Sequence, residues 1–214
     1  MKLKGLYAVT PDLADTADLL RRTRQALEGG AGLVQYRNKT AGAALRREQA
    51  LALLGLCRQH GVPLVINDEL ALALDIGADG AHLGREDGDL AAARAALGPG
   101  KLLGISCYDG MERAREAGRI GADYIAFGSF FASPTKPAAV RAPLTLLAEA
   151  RNELGLPVCA IGGITLQNAP QLIAAGADLL AIISDLFEAP DIAARAADYA
   201  KIWQTPLTPR VRPA

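Results

Sequence analysis

Short apolar runs recur eight times along the chain and alternate with longer segments that have helical spacing. Each run is a few residues long and rich in β-branched or large apolar side chains, which is typical of a buried strand. The predicted strands cover residues 6–9, 33–36, 64–66, 81–83, 102–105, 124–127, 158–161 and 179–183. The clearest predicted helices cover residues 17–28, 44–60, 89–97, 111–120, 144–154 and 192–203.

Strict alternation of strand and helix predicts a parallel sheet. A Gly-Ala pair precedes every second strand, at Gly30, Gly77, Gly121 and Gly176, where a glycine closing the helix is favoured. Eight strand–helix units in about 200 residues match the smaller (β/α)8 barrels, whereas a doubly wound open sheet usually has five or six strands. The sequence therefore predicts an α/β fold, a single-domain (β/α)8 TIM barrel over residues 1–203.

The C-terminal residues and the bulk composition lead to four further predictions. The tail over residues 204–214 contains three prolines and is expected to be disordered. Acidic and basic residues number 23 each and the pI is near 6.7, so nucleic acid and membrane surfaces are not expected partners. Cys57, Cys107 and Cys159 are odd in number and widely spaced, and are expected to be reduced core residues. The N-terminus resembles no signal peptide, which predicts a cytoplasmic protein.

In (β/α)8 barrels the functional groups lie at the carboxyl ends of the strands, so the residues that follow each run matter most. The second run ends in a polar segment in which strand alternation points Gln35, Arg37 and Lys39 toward the barrel mouth. The alternative is a solvated strand end. Asp68 and Asp87 follow the next two strands and suit Mg²⁺, unless each carboxylate caps the following helix.

The later strand ends indicate phosphate binding. Ser133, Thr135 and Lys136 occur in a proline-flanked loop after the sixth strand, where hydroxyls and an ammonium group suit a phosphate. Gly162 and Gly163 follow the seventh strand, and with the end of the eighth they match the usual phosphate position in such barrels, although Gly-Gly alone is a turn signal.

Ser106, at the end of the fifth strand, is interpreted as a hydrogen-bonding residue, because no histidine follows it in this loop to build a hydrolase triad. His82 and His60 are interpreted as structural, one packed in a strand and the other at the end of a helix.

Taken in order, these segments resemble the thiamine phosphate synthase family. The resemblance rests on Gln-x-Arg-x-Lys, Asn-Asp, Gly-x-x-Asp, Gly-x-Ser, Ser-Pro-Thr-Lys, Ile-Gly-Gly-Ile and Ile-Ser, which follow successive predicted strands. It implies a Mg²⁺-dependent enzyme that joins 4-amino-2-methyl-5-hydroxymethylpyrimidine diphosphate to thiazole phosphate, giving thiamine monophosphate and pyrophosphate.

The resemblance also implies residue roles. Pyrimidine diphosphate contacts are expected from Gln35, Tyr36, Arg37, Asn38, Lys39, Asn67, Ser106 and Lys136. Arg37, Ser106 and Lys136 are the expected catalytic residues among them. Thiazole phosphate contacts are expected from Ser133, Pro134, Thr135, Gly163, Ile183 and Ser184. Asp68 and Asp87 are the expected Mg²⁺ ligands.

Five residues depart from the pattern of this family: Glu69, Arg85, Tyr108, Ser129 and Asp185. Asp185 matters most, because a carboxylate beside a phosphate repels it unless the side chain points away.

Three alternatives remain open. A paralogous thiazole tautomerase shares the barrel, but the retained Thr135, Lys136 and Asp87 argue against it. A phosphosugar isomerase or indole glycerol phosphate synthase would need an acid–base pair at the strand ends. A non-catalytic barrel that binds a phosphate ligand is the third. The oligomeric state and the exact thiazole substrate are not determined by the sequence.

Overall fold

The computed structural model describes residues 3–132 and 141–203. In this part of the chain eight parallel strands close into a barrel in sequence order, and the last strand pairs with the first. The (β/α)8 barrel predicted from the sequence is therefore confirmed. The strands are β1 (Gly5–Val9), β2 (Leu33–Tyr36), β3 (Leu64–Asn67), β4 (Gly80–Leu83), β5 (Leu102–Tyr108), β6 (Tyr124–Phe127), β7 (Val158–Ile161) and β8 (Leu179–Ile182).

The helices of the described residues surround the barrel. They are α1 (Thr16–Glu28), α2 (Ala43–Gln59), α3 (Leu70–Asp75), α4 (Leu90–Leu97), α5 (Met111–Arg119), α6 (Thr145–Leu154), α7 (Ala169–Ala174), α8 (Ser184–Phe187) and α9 (Ile192–Ile202). None of these helices is both long and apolar enough to cross a membrane. The predicted tail at residues 204–214 lies outside the described residues.

Two features of the sequence place the ends of these elements. Gly30, Gly77, Gly121 and Gly176 all have positive φ directly after a helix, as predicted. Strand β5 runs three residues further than predicted, because it keeps pairing with β6 through an irregularity between Ser106 and Tyr108.

The apolar residues form two cores. The larger core lies between the barrel and the helices and contains Cys57 and Cys107, both free thiols. The smaller core fills the barrel interior, and its buried members are Leu3, Tyr7, Val9, Leu33, Val65, Tyr124, Ala126, Cys159, Leu179 and Ala181. The three cysteines are buried and unbridged, as predicted.

Gly104 makes room for the largest side chain of this inner core. It lies on β5 between His82 of β4 and Tyr124 of β6, which are its partners in register. A Cβ atom at Gly104 would overlap the Tyr124 ring. The missing side chain lets the His82 and Tyr124 rings stack across β5, with centroids 5.5 Å apart.

Replacement of Gly104 by alanine should therefore destabilise the barrel by about 1–3 kcal/mol, the usual effect of overpacking a core. Gly55→Ala is the matched control, because a Cβ there meets no atom within 4 Å and Gly55 lies within α2. The control should leave stability unchanged or raise it, since alanine favours a helix. Urea denaturation of both variants measures the difference, and equal stabilities would contradict the role of Gly104.

Candidate functional site

The end of β2 is held by residues that follow β1. Thr10 accepts a hydrogen bond from the Arg37 amide at 2.9 Å and donates its own hydroxyl to the Arg37 carbonyl at 3.0 Å. Asp12 accepts from the Arg37 guanidinium and from the Lys39 amide, each at 2.9 Å. Asp12 and Thr10 thus position the predicted cationic residues of the mouth.

Two of the predicted residues in this segment are hydrogen-bonded to the helical layer. Tyr36 is buried and donates its hydroxyl to Gln49 of α2 at 2.8 Å. The Asn38 amide donates to Gln49 and to the Leu13 carbonyl. Their side chains therefore tie β2 to the helical layer, because strand alternation places even-numbered residues of this segment outward.

Asp68 and Asp87 lie close together at the ends of β3 and β4. Neither caps a helix, because α4 is capped by Asp89 and the residue before α3 is Glu69. Asp87 accepts a hydrogen bond from the Gly84 amide at 2.6 Å. Burial raises the pKa of the Asp87 carboxyl, and the neighbouring Asp68 carboxyl adds to the rise.

The backbone around Asp68 is also unusual. Asp68 has φ of 61°, a left-handed conformation that is uncommon outside glycine and often found at functional sites. Lys39 Nζ lies 3.3 Å from its carboxylate. Asn67, predicted to contact the pyrimidine diphosphate, lines the same recess as Tyr36, Asn38, Lys39 and Asp68. Five residues predicted to contact the diphosphate or Mg²⁺ therefore meet in one place.

A chain of hydrogen bonds crosses the barrel interior from Gln35 to Ser106. The Gln35 amide donates to the Tyr7 hydroxyl, and the hydroxyls of Tyr7 and Tyr124 lie 2.7 Å apart. His82 joins the Tyr124 hydroxyl through Nδ1 and the Ser106 hydroxyl through Nε2, each at 2.9 Å. The interpretation of His82 as a packed residue is confirmed, but it also connects two predicted binding residues.

The sequence analysis missed Tyr7, Thr10, Asp12, Arg113 and Tyr124. Thr10 and Asp12 directly follow β1 and satisfy the same strand-end rule that selected the other residues. Arg113 lies on α5 and donates to the carbonyls of Ser106 and Gly84. Tyr7 and Tyr124 fit an apolar strand pattern, so their polar role had no signal in the sequence.

A second recess lies at the ends of β7 and β8. It has a volume of about 410 Å³ and its lining includes Gly163, Ile183 and Ser184, which are three of the predicted thiazole phosphate contacts. The other three, Ser133, Pro134 and Thr135, lie outside the described residues, as does Lys136.

The two glycines after β7 serve packing. A Cβ atom at Gly162 would overlap Ser129, and one at Gly163 would overlap the Ala132 carbonyl. Both glycines have positive φ. They therefore allow residues 129–132, which follow β6, to lie directly on the end of β7, a reason that the sequence analysis did not foresee.

Asp185 lines the second recess, but its carboxylate is bound by side chains of α9. Arg195 of α9 binds its carboxylate at 2.6 Å, and the Tyr199 hydroxyl donates to the same oxygen at 2.6 Å. The carboxylate is thus neutralised and turned toward α9. Its partners are therefore the Arg195 guanidinium and the Tyr199 hydroxyl.

The other departures from the family pattern also have partners. Arg85 lies over the Tyr108 ring, 5.0 Å from its centroid, so two departing residues contact each other. Glu69 pairs with Arg46 at 2.7 Å. Ser129 donates its hydroxyl to the Phe131 carbonyl at 2.7 Å. Each of these residues therefore has a partner within the described part of the chain.

Acid should destabilise the protein through His82, because burial lowers the pKa of this imidazole from 6.5 to about 4. Between about pH 4 and pH 6.5, His82 therefore binds a proton in the unfolded chain but not in the folded protein. The free energy of unfolding should therefore fall as the pH decreases from about 6.5 through about 4, by up to about 3 kcal/mol from this residue.

The variant His82→Gln removes the titrating group and should flatten this part of the stability profile, as measured by urea denaturation. His60→Gln is the matched control: it changes an exposed histidine, keeps His82, and should keep the steep segment. A wild-type profile without that segment would show that His82 does not limit acid stability.

Comparison with known proteins identifies the family of this chain. Residues 6–186 match the family model described as thiamine monophosphate synthase. A thiamine-phosphate synthase of Aromatoleum aromaticum is 57% identical over 94% of this chain and 97% of its own length. One of Azoarcus sp. is 56% identical over 94% of this chain and 98% of its own.

A solved structure agrees with these relatives. The thiamine phosphate pyrophosphorylase from Pyrococcus furiosus superposes with a TM-score of 0.81 at 34% identity, and covers 94% of this chain and 96% of that one. Since the family model covers the barrel from β1 into α8, the chain belongs to the thiamine monophosphate synthase family.

Proposed function

We propose that this protein condenses 4-amino-2-methyl-5-hydroxymethylpyrimidine diphosphate with thiazole phosphate, giving thiamine monophosphate and pyrophosphate. The observation that carries the proposal is the match to relatives named thiamine-phosphate synthase across 94% of this chain. The arrangement of the mouth supports it, with cations and carboxylates after β2, β3 and β4 and a separate recess after β7 and β8.

The chemistry requires stabilisation of a leaving group and no protein nucleophile. The bond from the pyrimidine methylene carbon to the diphosphate oxygen breaks, and the electron pair leaves with pyrophosphate. The thiazole nitrogen then forms the new bond to that carbon. Arg37 and Lys39 stabilise the developing negative charge, and Ser106 with Gln35 orients the pyrimidine ring. Lys136 and Asn67 are proposed to contact the pyrimidine diphosphate as well.

Asp68 and Asp87 are the proposed ligands of Mg²⁺. Two adjacent carboxylates at a strained backbone position fit a hard dication, which typically takes one or two carboxylates and fills its shell with water and phosphate oxygens. The described residues hold no cluster of three or more acidic, histidine or cysteine ligands. The bound metal would supply charge stabilisation for the pyrophosphate.

The recess after β7 and β8 is the proposed site of the thiazole phosphate. Gly163, Ile183 and Ser184 line it, and Arg195 pairs with the carboxylate of Asp185, which lines it too. Ser133, Pro134 and Thr135 complete the proposed contacts.

The isomerase and indole glycerol phosphate synthase alternatives are disfavoured by His82. Both of its ring nitrogens are engaged by other side chains, and burial keeps it neutral at physiological pH. It therefore does not serve as one half of an acid–base pair at the strand ends.

The first test is release of pyrophosphate, which should require both substrates and should stop on addition of a chelator. Asp68→Asn and Asp87→Asn should each raise the Mg²⁺ concentration needed for half-maximal rate by about tenfold or more, because an amide oxygen is a poorer ligand for this ion. Asp89→Asn is the matched control, since Asp89 only caps α4 and asparagine also caps helices.

Two outcomes would contradict these assignments. Pyrophosphate release that does not depend on thiazole phosphate would exclude the proposed condensation. Unchanged Mg²⁺ titrations in both aspartate variants would remove these residues from the metal site.

The ion pair between Arg195 and Asp185 yields a second test. Arg195→Ala should weaken thiazole phosphate binding by about tenfold, because the freed carboxylate repels the phosphate. Calorimetry measures the dissociation constant.

The double variant Arg195→Ala with Asp185→Asn separates two causes of that loss. If the freed carboxylate is responsible, the double variant should regain wild-type affinity. If affinity stays low, the Arg195 cation itself attracts the phosphate and the proposed repulsion is wrong. Asp198→Asn, on the same helix and paired with Lys201, is a control for lost acidity.

A further inference from the structure

The hydrogen-bond chain through the barrel connects two strand ends on different sides of the mouth. Its five members come from five strands: Tyr7 from β1, Gln35 from β2, His82 from β4, Ser106 from β5 and Tyr124 from β6. The two tyrosines, His82 and Gln35 are all buried, whereas Ser106 is partly exposed. The chain therefore begins and ends at predicted pyrimidine contacts and is shielded from water between them.

The chemistry of its members gives the chain one direction. The Gln35 amide nitrogen only donates, so the Tyr7 oxygen accepts from it and the Tyr7 hydrogen goes to Tyr124. Tyr124 must then donate to Nδ1 of His82. Neutral histidine carries one ring hydrogen, which is thereby placed on Nε2 and donated to Ser106.

Burial preserves this arrangement. It raises the pKa of the Tyr7 and Tyr124 hydroxyls far above their usual value. Each tyrosine therefore keeps its single hydrogen, and the hydroxyl that Tyr124 donates occupies Nδ1 of His82. The edge-to-face contact of the two tyrosine rings, with centroids 5.7 Å apart, holds the hydroxyls together.

The direction determines what the two ends present to a ligand. Because Ser106 accepts from His82, its own hydrogen is free to be donated. Because the amide nitrogen of Gln35 faces Tyr7, its carbonyl oxygen is left as an acceptor. An aminopyrimidine offers the complementary pair, an amino hydrogen beside a ring nitrogen that accepts.

We propose that Tyr7, Tyr124 and His82 are positioning residues that hold Ser106 as a donor and Gln35 as an acceptor for the aminopyrimidine ring. The inference rests on the proposed function for the identity of the ligand. The direction of the chain and the histidine tautomer do not depend on it, so they are tested on the free protein.

Nitrogen-15 NMR of histidine-labelled wild-type protein reads the tautomer directly. The chain has two histidines, and His60→Gln assigns the signals of His82. We expect the hydrogen on Nε2 at neutral pH. A hydrogen on Nδ1 would mean that the chain runs in the opposite direction and would overturn the proposal.

Two tyrosine variants then test which hydroxyl groups determine the tautomer of His82. Tyr124→Phe removes the donor to Nδ1, so His82 should show a mixture of tautomers. Tyr7→Phe keeps the contact between Tyr124 and His82 but removes the donor that directs the Tyr124 hydrogen to Nδ1, so the tautomer should again become mixed, whereas Thr23→Val should leave it unchanged. An unchanged tautomer in Tyr124→Phe would overturn the role of Tyr124, and the wild-type spectrum remains decisive if this variant fails to fold.

Kinetics with both substrates tests recognition. Tyr124→Phe should raise the KM for the pyrimidine diphosphate by about tenfold, consistent with a lost buried hydrogen bond, and change the KM for thiazole phosphate by less than about twofold. His82→Gln, whose amide can still donate to Ser106, should retain more activity than His82→Leu. Thr23→Val is the control, because it removes a buried hydroxyl on α1 outside the chain.

The two proposals fail in different ways. If wild-type protein releases no pyrophosphate with both substrates, the proposed function fails and the aminopyrimidine part of this inference falls with it. If wild-type protein is active but Tyr124→Phe, with an altered tautomer, keeps normal KM values, the positioning role is wrong and the proposed function stands.

Discussion

The contact between His82 and Tyr124 across Gly104 is the constraint on which both the barrel interior and its mouth depend. The glycine lets two rings from alternate strands meet inside a closed barrel, where side chains must fill the space. Once buried there, their polar atoms require partners, and they find them in Tyr7 and Ser106. The packing of the interior is therefore continuous with the polar groups that face a ligand.

A second constraint concerns the charged residues of the mouth. Three of them are paired with an oppositely charged side chain from another segment. Arg37 is held by Asp12, Lys39 by Asp68, and Asp185 by Arg195. The chain has equal numbers of acidic and basic residues and no net charge. It can still form local positive and negative sites, because individual charges are held in place by their partners.

Most of the fold followed from the pattern of the sequence, because a strand buried on both faces needs a continuous apolar run and a parallel neighbour needs a helical crossover. The strand-end rule also placed Arg37, Lys39, Asp68 and Ser106 at the carboxyl ends of their strands. It did not identify the contacts of each side chain: Tyr36 and Asn38 donate to Gln49 of α2 while they line the recess that Lys39 and Asp68 share. The roles of these residues in binding stay predictions, because the rule identifies a position along the strand but not the partners of the side chain.

The sequence by itself determined the barrel, the positions of the helix-ending glycines and the order of polar strand ends, because each depends on residues that are close together along the chain. Only the tertiary structure decided that Tyr7, Tyr124 and His82 form one chain, that Asp185 faces α9, and that Arg85 lies on Tyr108. Tyr7 and Tyr124 are 117 residues apart, and their hydroxyls meet because a closed barrel brings the inner faces of its strands together.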